Sequence, residues 1–185
     1  MRAFLAVEIS EEARGAIARL QDQLRSAGAD VGWVKPENLH LTLKFLGEIK
    51  ESRVPEITER LNASLKTPPF AFTLEGSGAF PQPAHPKVLW AGVNEGKDSL
   101  IRLANEVEAA CGGCGFPAEE RPFSPHLTIG RVRSPQGLSR LVQKLQSVEF
   151  QGGKTEAGEI VLFQSTLGPG GPVYQRVQEI PLKSR

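Results

Sequence analysis

The sequence predicts an α+β fold of two pseudo-symmetric lobes, each a β-sheet backed by helices, around a central cleft. Three observations lead there. Strand-like and helix-like segments alternate along the chain. The order strand, helix, strand, helix, strand occurs twice, over about residues 1–76 and 87–182. Each copy holds one short apolar strand with the pattern His-x-Thr, at Leu39-His40-Leu41-Thr42-Leu43 and at Pro125-His126-Leu127-Thr128-Ile129. His40 and His126 lie 86 positions apart, as do Phe4 and Trp90 in the two opening strands. That constant offset reads as an internal duplication. Duplicated units commonly pack about a pseudo-twofold axis, which would make the two His-x-Thr strands line one cleft.

The elements follow in order. Residues 2–9 read as the first strand. Ser10 is a good helix N-cap, and Glu11 and Glu12 suit the positive end of the helix dipole. Ala13, Ile17, Leu20 and Leu24 then recur at helical spacing, so a helix runs to about Ser26. Residues 31–36 read as a loop into the first His-x-Thr strand, about 38–46. Ser52 is placed to cap a second helix carrying Val54, Ile57, Leu61 and Leu65, with Pro55 tolerated in its first turn. Phe70 to Glu75 alternate as a strand, and the Gly/Pro-rich residues 76–86 read as a loop and as the boundary between halves.

The second half opens with a strand at 87–93 and a helix from about Asp98 to Cys111. The second His-x-Thr strand runs to about Val132. A helix starting at Ser134-Pro135 carries Leu138, Leu141, Val142 and Leu145. Strands at 148–151, 158–167 and 172–182 complete the chain, which reads as one bilobal domain over 1–185. Sequence leaves open whether the last strands cross into the opposite lobe.

Composition limits the partners. With 22 basic and 21 acidic residues the net charge is +1, which argues against a broad basic face for duplex nucleic acid. One strand end or one nucleotide needs only a few local cations. No apolar run of about 18 residues is present, so no membrane-spanning helix is expected. The apolar N-terminus is short and interrupted by Glu8, and it reads as the first strand of a cytoplasmic, monomeric protein rather than a signal peptide. Cys111 and Cys114 could be a redox pair or half a zinc site. Zinc lacks further ligands nearby, and the pair reads as incidental thiols in a reducing compartment.

In a strand, residues two apart share a face, roughly 6.5–7 Å from each other. Each motif therefore presents an imidazole beside a hydroxyl, with its leucines and isoleucine anchored behind. Two imidazoles across a cleft suit a reaction needing a general base and a general acid in one turnover. Two threonine hydroxyls suit the non-bridging oxygens of a phosphoryl group. No Gly-x-Ser-x-Gly elbow points to acyl transfer, and no clustered ligands point to metal hydrolysis. Phosphodiester cleavage without metal or cofactor fits best. His85, in the Pro-rich stretch, is given no role.

These residues also carry a family resemblance. Arg2-x-Phe4-x-Ala6, the run Trp33 to Gly47, the run Phe123 to Arg131, and Ser165-x-Leu167 followed by Tyr174 resemble the 2H phosphoesterases. Within that superfamily they are similar to the RNA 2′,3′-cyclic phosphodiesterases, also called 2′-5′ RNA ligases. The resemblance implies hydrolysis of an RNA 2′,3′-cyclic phosphate end to a 2′-phosphomonoester, with reversible 2′-5′ ligation when a 5′-hydroxyl replaces water. It implies His40 as proton donor to the departing 3′ oxygen, His126 as proton acceptor from water, Thr42 and Thr128 on the phosphate oxygens, and Arg131 on the nucleotide or its phosphate. From the residues alone, either histidine could take either role.

Alternation raises two further expectations. Lys44 shares the parity of His40 and Thr42 and so reads as a phosphate contact. Arg131 has the opposite parity to His126 and Thr128, so it faces the cleft only if Gly130 permits a bulge, or else acts from the rim. Two other activities compete with this reading. One is a phosphodiesterase for a small cyclic nucleotide, such as a cyclic phosphate of ADP-ribose. The other is a non-catalytic module that binds RNA ends.

Overall fold

Residues 1–184 are described by a computed structural model of the chain. The strands are β1 (Arg2–Glu8), β2 (Val31–Trp33), β3 (His40–Glu48), β4 (Phe70–Gln82), β5 (His85–Val93), β6 (His126–Val132), β7 (Gln151–Ala157), β8 (Glu159–Gly168) and β9 (Gly171–Pro181). The helices are α1 (Glu11–Arg25), α2 (Val54–Ser64), α3 (Lys97–Gly113) and α4 (Leu138–Ser147). They form an α+β fold with two antiparallel sheets, ordered β3-β1-β8-β9 and β2-β6-β5-β4-β7.

Local chemistry explains most element boundaries. The Ser10 hydroxyl accepts from the Ala13 amide at 3.1 Å and caps α1, satisfying a donor that would otherwise be orphaned. Its buried stripe is Ala13, Ala16, Ile17, Leu20, Gln21 and Leu24. Pro55 stands in the first turn of α2, where its missing N–H costs nothing. Ser52 lies in a single 3-10 turn ahead of α2 and does not cap it. Gly137 precedes α4 in a left-handed conformation. The helix therefore begins three residues after Pro135, later than the sequence suggests.

Three further sequence expectations change. Residues 76–86 are not a loop: β4 and β5 form one long hairpin whose apex is Pro83-Ala84. The glycines are used inside the strand. Gly76 has φ +77°, and the register steps between Leu74 and Ser77, where a bulge is built. Gly78 gives room to the Trp90 indole, since a Cβ there would meet its Cζ2 at 2.3 Å. Residues 31–33, read as loop, form β2 against β6. The strand placed at 148–151 lies instead at 151–157.

The two sequence repeats exchange parts. In the four-stranded sheet, β1 pairs with β3 on one side and with β8 on the other, Phe4 standing opposite Phe163. In the five-stranded sheet, β5 pairs with β6 and with β4, Trp90 standing opposite Gly78. The C-terminal strands therefore do cross back to the first lobe, while β4 from the first repeat completes the second. Helices exchange as well: α2 and α3 back the first sheet, and α1 and α4 back the second. One buried apolar core runs through both lobes. A second small cluster, Phe4, Ala6, Val161 and Phe163, lies on the opposite face of the first sheet with Tyr174 packed against it.

Candidate active site

β3 and β6 approach each other where the two sheets meet. Along each, burial alternates as the motif requires: Leu41, Leu43, Leu127 and Ile129 are buried, while His40, Thr42, His126 and Thr128 are half-buried. Among the described residues neither threonine hydroxyl takes part in a side-chain hydrogen bond, which leaves both able to donate.

Alternation then breaks in both strands at the same place. On β3 the register with β1 passes from Ala6 opposite Thr42 to Leu5 opposite Lys44, leaving Leu43 as an extra residue. On β6 the register with β5 passes from Trp90 opposite Thr128 to Leu89 opposite Gly130, leaving Ile129 extra. These are β-bulges, and a bulge flips the side-chain parity of everything after it.

The consequence for the two cationic candidates is opposite. Arg131, which strict alternation would send to the back, is exposed and forms no ion pair among the described residues. Its charge reaches the Tyr174 phenol: burial pushes that group up, and Arg131 and Arg2 hold the rise back. Tyr174 also packs on the His40 ring, so the Arg131 charge acts on a phenol that borders that histidine. Lys44 is turned the other way. Its side chain is 1% exposed, and its ammonium donates to Glu108 Oε1 and Oε2 at 3.0 and 2.9 Å and to the Pro117 carbonyl at 3.0 Å. The expectation that Lys44 contacts phosphate is therefore corrected. It faces α3, and its charge is already matched. In its place the bulge brings out Phe45, 64% exposed and 6.1 Å from the Phe4 ring. Phe45 holds the position in the first repeat that Arg131 holds in the second.

The two imidazoles sit in unlike surroundings. His40 stacks on Phe4 and Phe163, both with centroids 5.1 Å away, and meets the edge of Tyr174 at 5.0 Å. Burial in this aromatic cage lowers its pKa to about 4, with Arg14 adding to the fall and the Leu39 backbone opposing it. Arg14 is fixed nearby by donating to the Pro36 and Leu39 carbonyls. His126 meets the edge of Phe80 at 4.9 Å, and its Nδ1 lies 2.6 Å from the Ser124 carbonyl. A carbonyl can only accept, so Nδ1 carries the proton and the Nε2 lone pair is free in the neutral ring.

Several other chemistry-bearing groups are engaged or buried. Arg176 is shared among Glu8, Glu159 and Glu179 at 2.5–2.7 Å. Cys111 and Cys114 are buried and unbridged, and burial pushes the Cys111 thiol up to about 12, which makes it unreactive. His85 lies exposed at the start of β5, away from both motifs in sequence. Among the described residues no three or more His, Cys, Asp or Glu side chains gather as a metal would need, and no helix is long and apolar enough to cross a membrane. Sequence reasoning gave no part to Arg14, Phe45, Phe80 or Phe163. The 86-residue offset from Arg131 was the available signal for Phe45.

Comparison with known proteins decides the family. The LigT-like phosphoesterase model matches residues 7–90 and 92–174. The chain belongs to the LigT-like phosphoesterases. A relative from Methanothermobacter thermautotrophicus, named RNA 2′,3′-cyclic phosphodiesterase, is 39% identical over 94% of this chain and 95% of its own. A second relative, from Thermotoga maritima and of the same name, is 36% identical over 97% of this chain and 94% of its own. A crystal structure from Thermus thermophilus superposes with a TM-score of 0.80 at 30% identity, covering 98% of each chain.

Proposed function

We propose that this chain is an RNA 2′,3′-cyclic phosphodiesterase that opens the cyclic phosphate at an RNA end and leaves a 2′-phosphomonoester. The curated relatives carry that name at 39% and 36% identity over nearly the whole chain. The observation that carries the mechanism is the pair of bulged strands. Each carries an imidazole and a hydroxyl two residues apart, and β6 adds an arginine that forms no ion pair among the described residues.

His126 acts as the base. Its Nδ1–H is committed to the Ser124 carbonyl, so Nε2 is left to take a proton from water as the oxygen attacks phosphorus. The P–O3′ bond breaks on the far side, and His40 protonates the departing O3′. In the free enzyme, with a pKa near 4, His40 is neutral at neutral pH. It takes up its proton with the substrate, because an anionic phosphodiester beside the ring favours the imidazolium. Thr42 and Thr128 donate to the two non-bridging oxygens, and Arg131 offsets charge gathering on them. These groups supply acid, base and charge without a metal. If a 5′-hydroxyl replaces water, the same steps run in the same direction: its oxygen attacks phosphorus, His126 takes its proton, the P–O3′ bond breaks, and a 2′-5′ linkage forms.

The deciding experiment offers an RNA ending in a 2′,3′-cyclic phosphate and asks which hydroxyl keeps the phosphate. The expected product is the 2′-phosphomonoester, with turnover lost in both His40→Ala and His126→Ala while their circular dichroism is unchanged. Full turnover in either variant refutes the two-histidine mechanism. Higher kcat/KM on a cyclic mononucleotide than on an oligonucleotide would reassign the substrate to small cyclic nucleotides. Binding with no turnover of any cyclic phosphate would make the chain an RNA-end binding module.

A further inference from the structure

Behind each bulge a buried polar side chain ties the catalytic strand to the loop that delivers the other histidine. Gln21 of α1 is 3% exposed. Its Nε2 donates to the Ile129 carbonyl at 2.9 Å and to the Val34 carbonyl at 2.8 Å. Both partners are acceptors, so the amide nitrogen must point at them. Ile129 is the extra residue of the β6 bulge, and its carbonyl also accepts from the Val34 amide at 3.0 Å. Val34 belongs to the segment running into His40. One amide therefore holds the bulge beside His126 against the approach to His40.

Lys44 does the reciprocal task with a charge. It lies in the β3 bulge beside Thr42, and its ammonium grips Glu108 of α3 and the Pro117 carbonyl, with Glu119 at 3.7 Å. The Glu119 amide closes the set by donating to Glu108 Oε1 at 3.0 Å. Residues 117 and 119 belong to the segment running into His126. The connectivity matches that of Gln21: bulge, crossing helix, approach to the opposite motif. Filling these positions would require only apolar atoms. Burying an amide and an ammonium costs free energy unless every donor is matched, and here the donors are matched to groups that locate both motifs.

We propose that Gln21 and Lys44 are positioning residues that lock the two bulges, so that Gln21 aims Arg131 and Lys44 aims Phe45 into the cleft. The proposal rests on the phosphodiesterase reading above. The Gln21 lock joins β6 to the segment that leads to His40 and is itself buried away from the cleft, so its loss acts through Arg131. A double-mutant cycle measures that dependence.

The experiment compares wild type, Gln21→Met, Arg131→Ala and the double variant on an RNA dinucleotide bearing a 2′,3′-cyclic phosphate, with a thermal melt of each. Gln21→Met keeps the volume and removes the donor. Misplacing a substrate-facing group by about 1 Å costs on the order of 100-fold, and a loss of that size in kcat/KM is expected in the wild-type background. In the Arg131→Ala background the further loss should be under about threefold. Equal losses in both backgrounds, or none in either, overturn the proposal, since a general packing defect would act whether or not Arg131 is present. If Gln21→Met does not fold, Lys44→Met cycled against Phe45→Ala gives the same decision. A wild type that turns over no cyclic phosphate refutes the functional reading itself. Additive losses in an active wild type refute only the positioning role.

Discussion

The His40 ring is held neutral by the same contacts that hold it in place. Phe4, Phe163 and Tyr174 remove its water, and Arg14 adds a positive charge nearby. Two measurable consequences follow. In the pH profile of kcat/KM, which reports groups of the free enzyme, one limb is expected at about pH 4. Arg14→Gln should move that limb upward, because it removes a cation that opposes protonation. A limb unmoved by Arg14→Gln would assign it to another group. The second consequence is for stability. The unfolded chain takes up a proton on this histidine below about pH 6.5, whereas the folded chain resists until about pH 4. The unfolded state thus binds more protons in that window, and stability falls as pH drops through it, by up to about 3 kcal/mol. Urea unfolding at pH 7.5 and pH 4.5 should give a smaller difference in His40→Phe, which fills the cage without titrating. An equal difference would mean other groups carry the slope.

At the scale of elements, the bulges and the β4–β5 hairpin decide which side chains meet. Gly78 has no side chain because the Trp90 indole lies where one would be. Trp90 contacts Phe80 at 5.5 Å, and Phe80 meets the His126 ring. Gly78→Ala is expected to push the indole aside, to cost about 1–3 kcal/mol by overpacking, and to lower kcat more than KM by disturbing Phe80. Thermal melts and steady-state kinetics check both, and an unchanged melting temperature would show that the indole has room to move. The same elements mark the limits of reading a sequence. His40, Thr42, His126 and Thr128 were legible because a period of two placed them on one face. Lys44 was assigned to the wrong face because a bulge inserts one residue and reverses parity, and nothing in Leu43-Lys44 announces it. Gly130 did hint at the β6 bulge that frees Arg131. The dense Gly and Pro content of residues 76–86 suggested a loop, yet these residues serve as bulge, indole seat and hairpin apex within two paired strands.

At the scale of the whole molecule, repetition was legible and exchange was not. Periodicity tells which face of a helix is buried, but not which sheet buries it. Nothing in the apolar stripe of α1 distinguishes packing on β7 from packing on β1. The observed arrangement sends α1 to the second sheet and α3 to the first, while β8 and β9 return to β1 and β4 leaves for β5. Neither repeat then holds a complete lobe. A chain cut at the hairpin apex, between Pro83 and Ala84, tests this dependence. The first fragment keeps β1 and β3 but lacks β8, β9 and α3, so half of its sheet and one backing helix are missing. The second keeps β5 and β6 but lacks β4, which leaves β7 without a neighbour, and lacks α1 over it. Each fragment would expose apolar surface that the single shared core now buries, and too few contacts would remain to offset chain entropy. Each alone is expected to melt without a cooperative transition and to turn over no cyclic phosphate. Mixed in equal amounts, they should recover both a cooperative melt and turnover, because the cut lies at an exposed apex and breaks no strand. A cooperative melt by either fragment alone would mean that one repeat suffices for a lobe, and the exchange would then be a matter of connection rather than of stability.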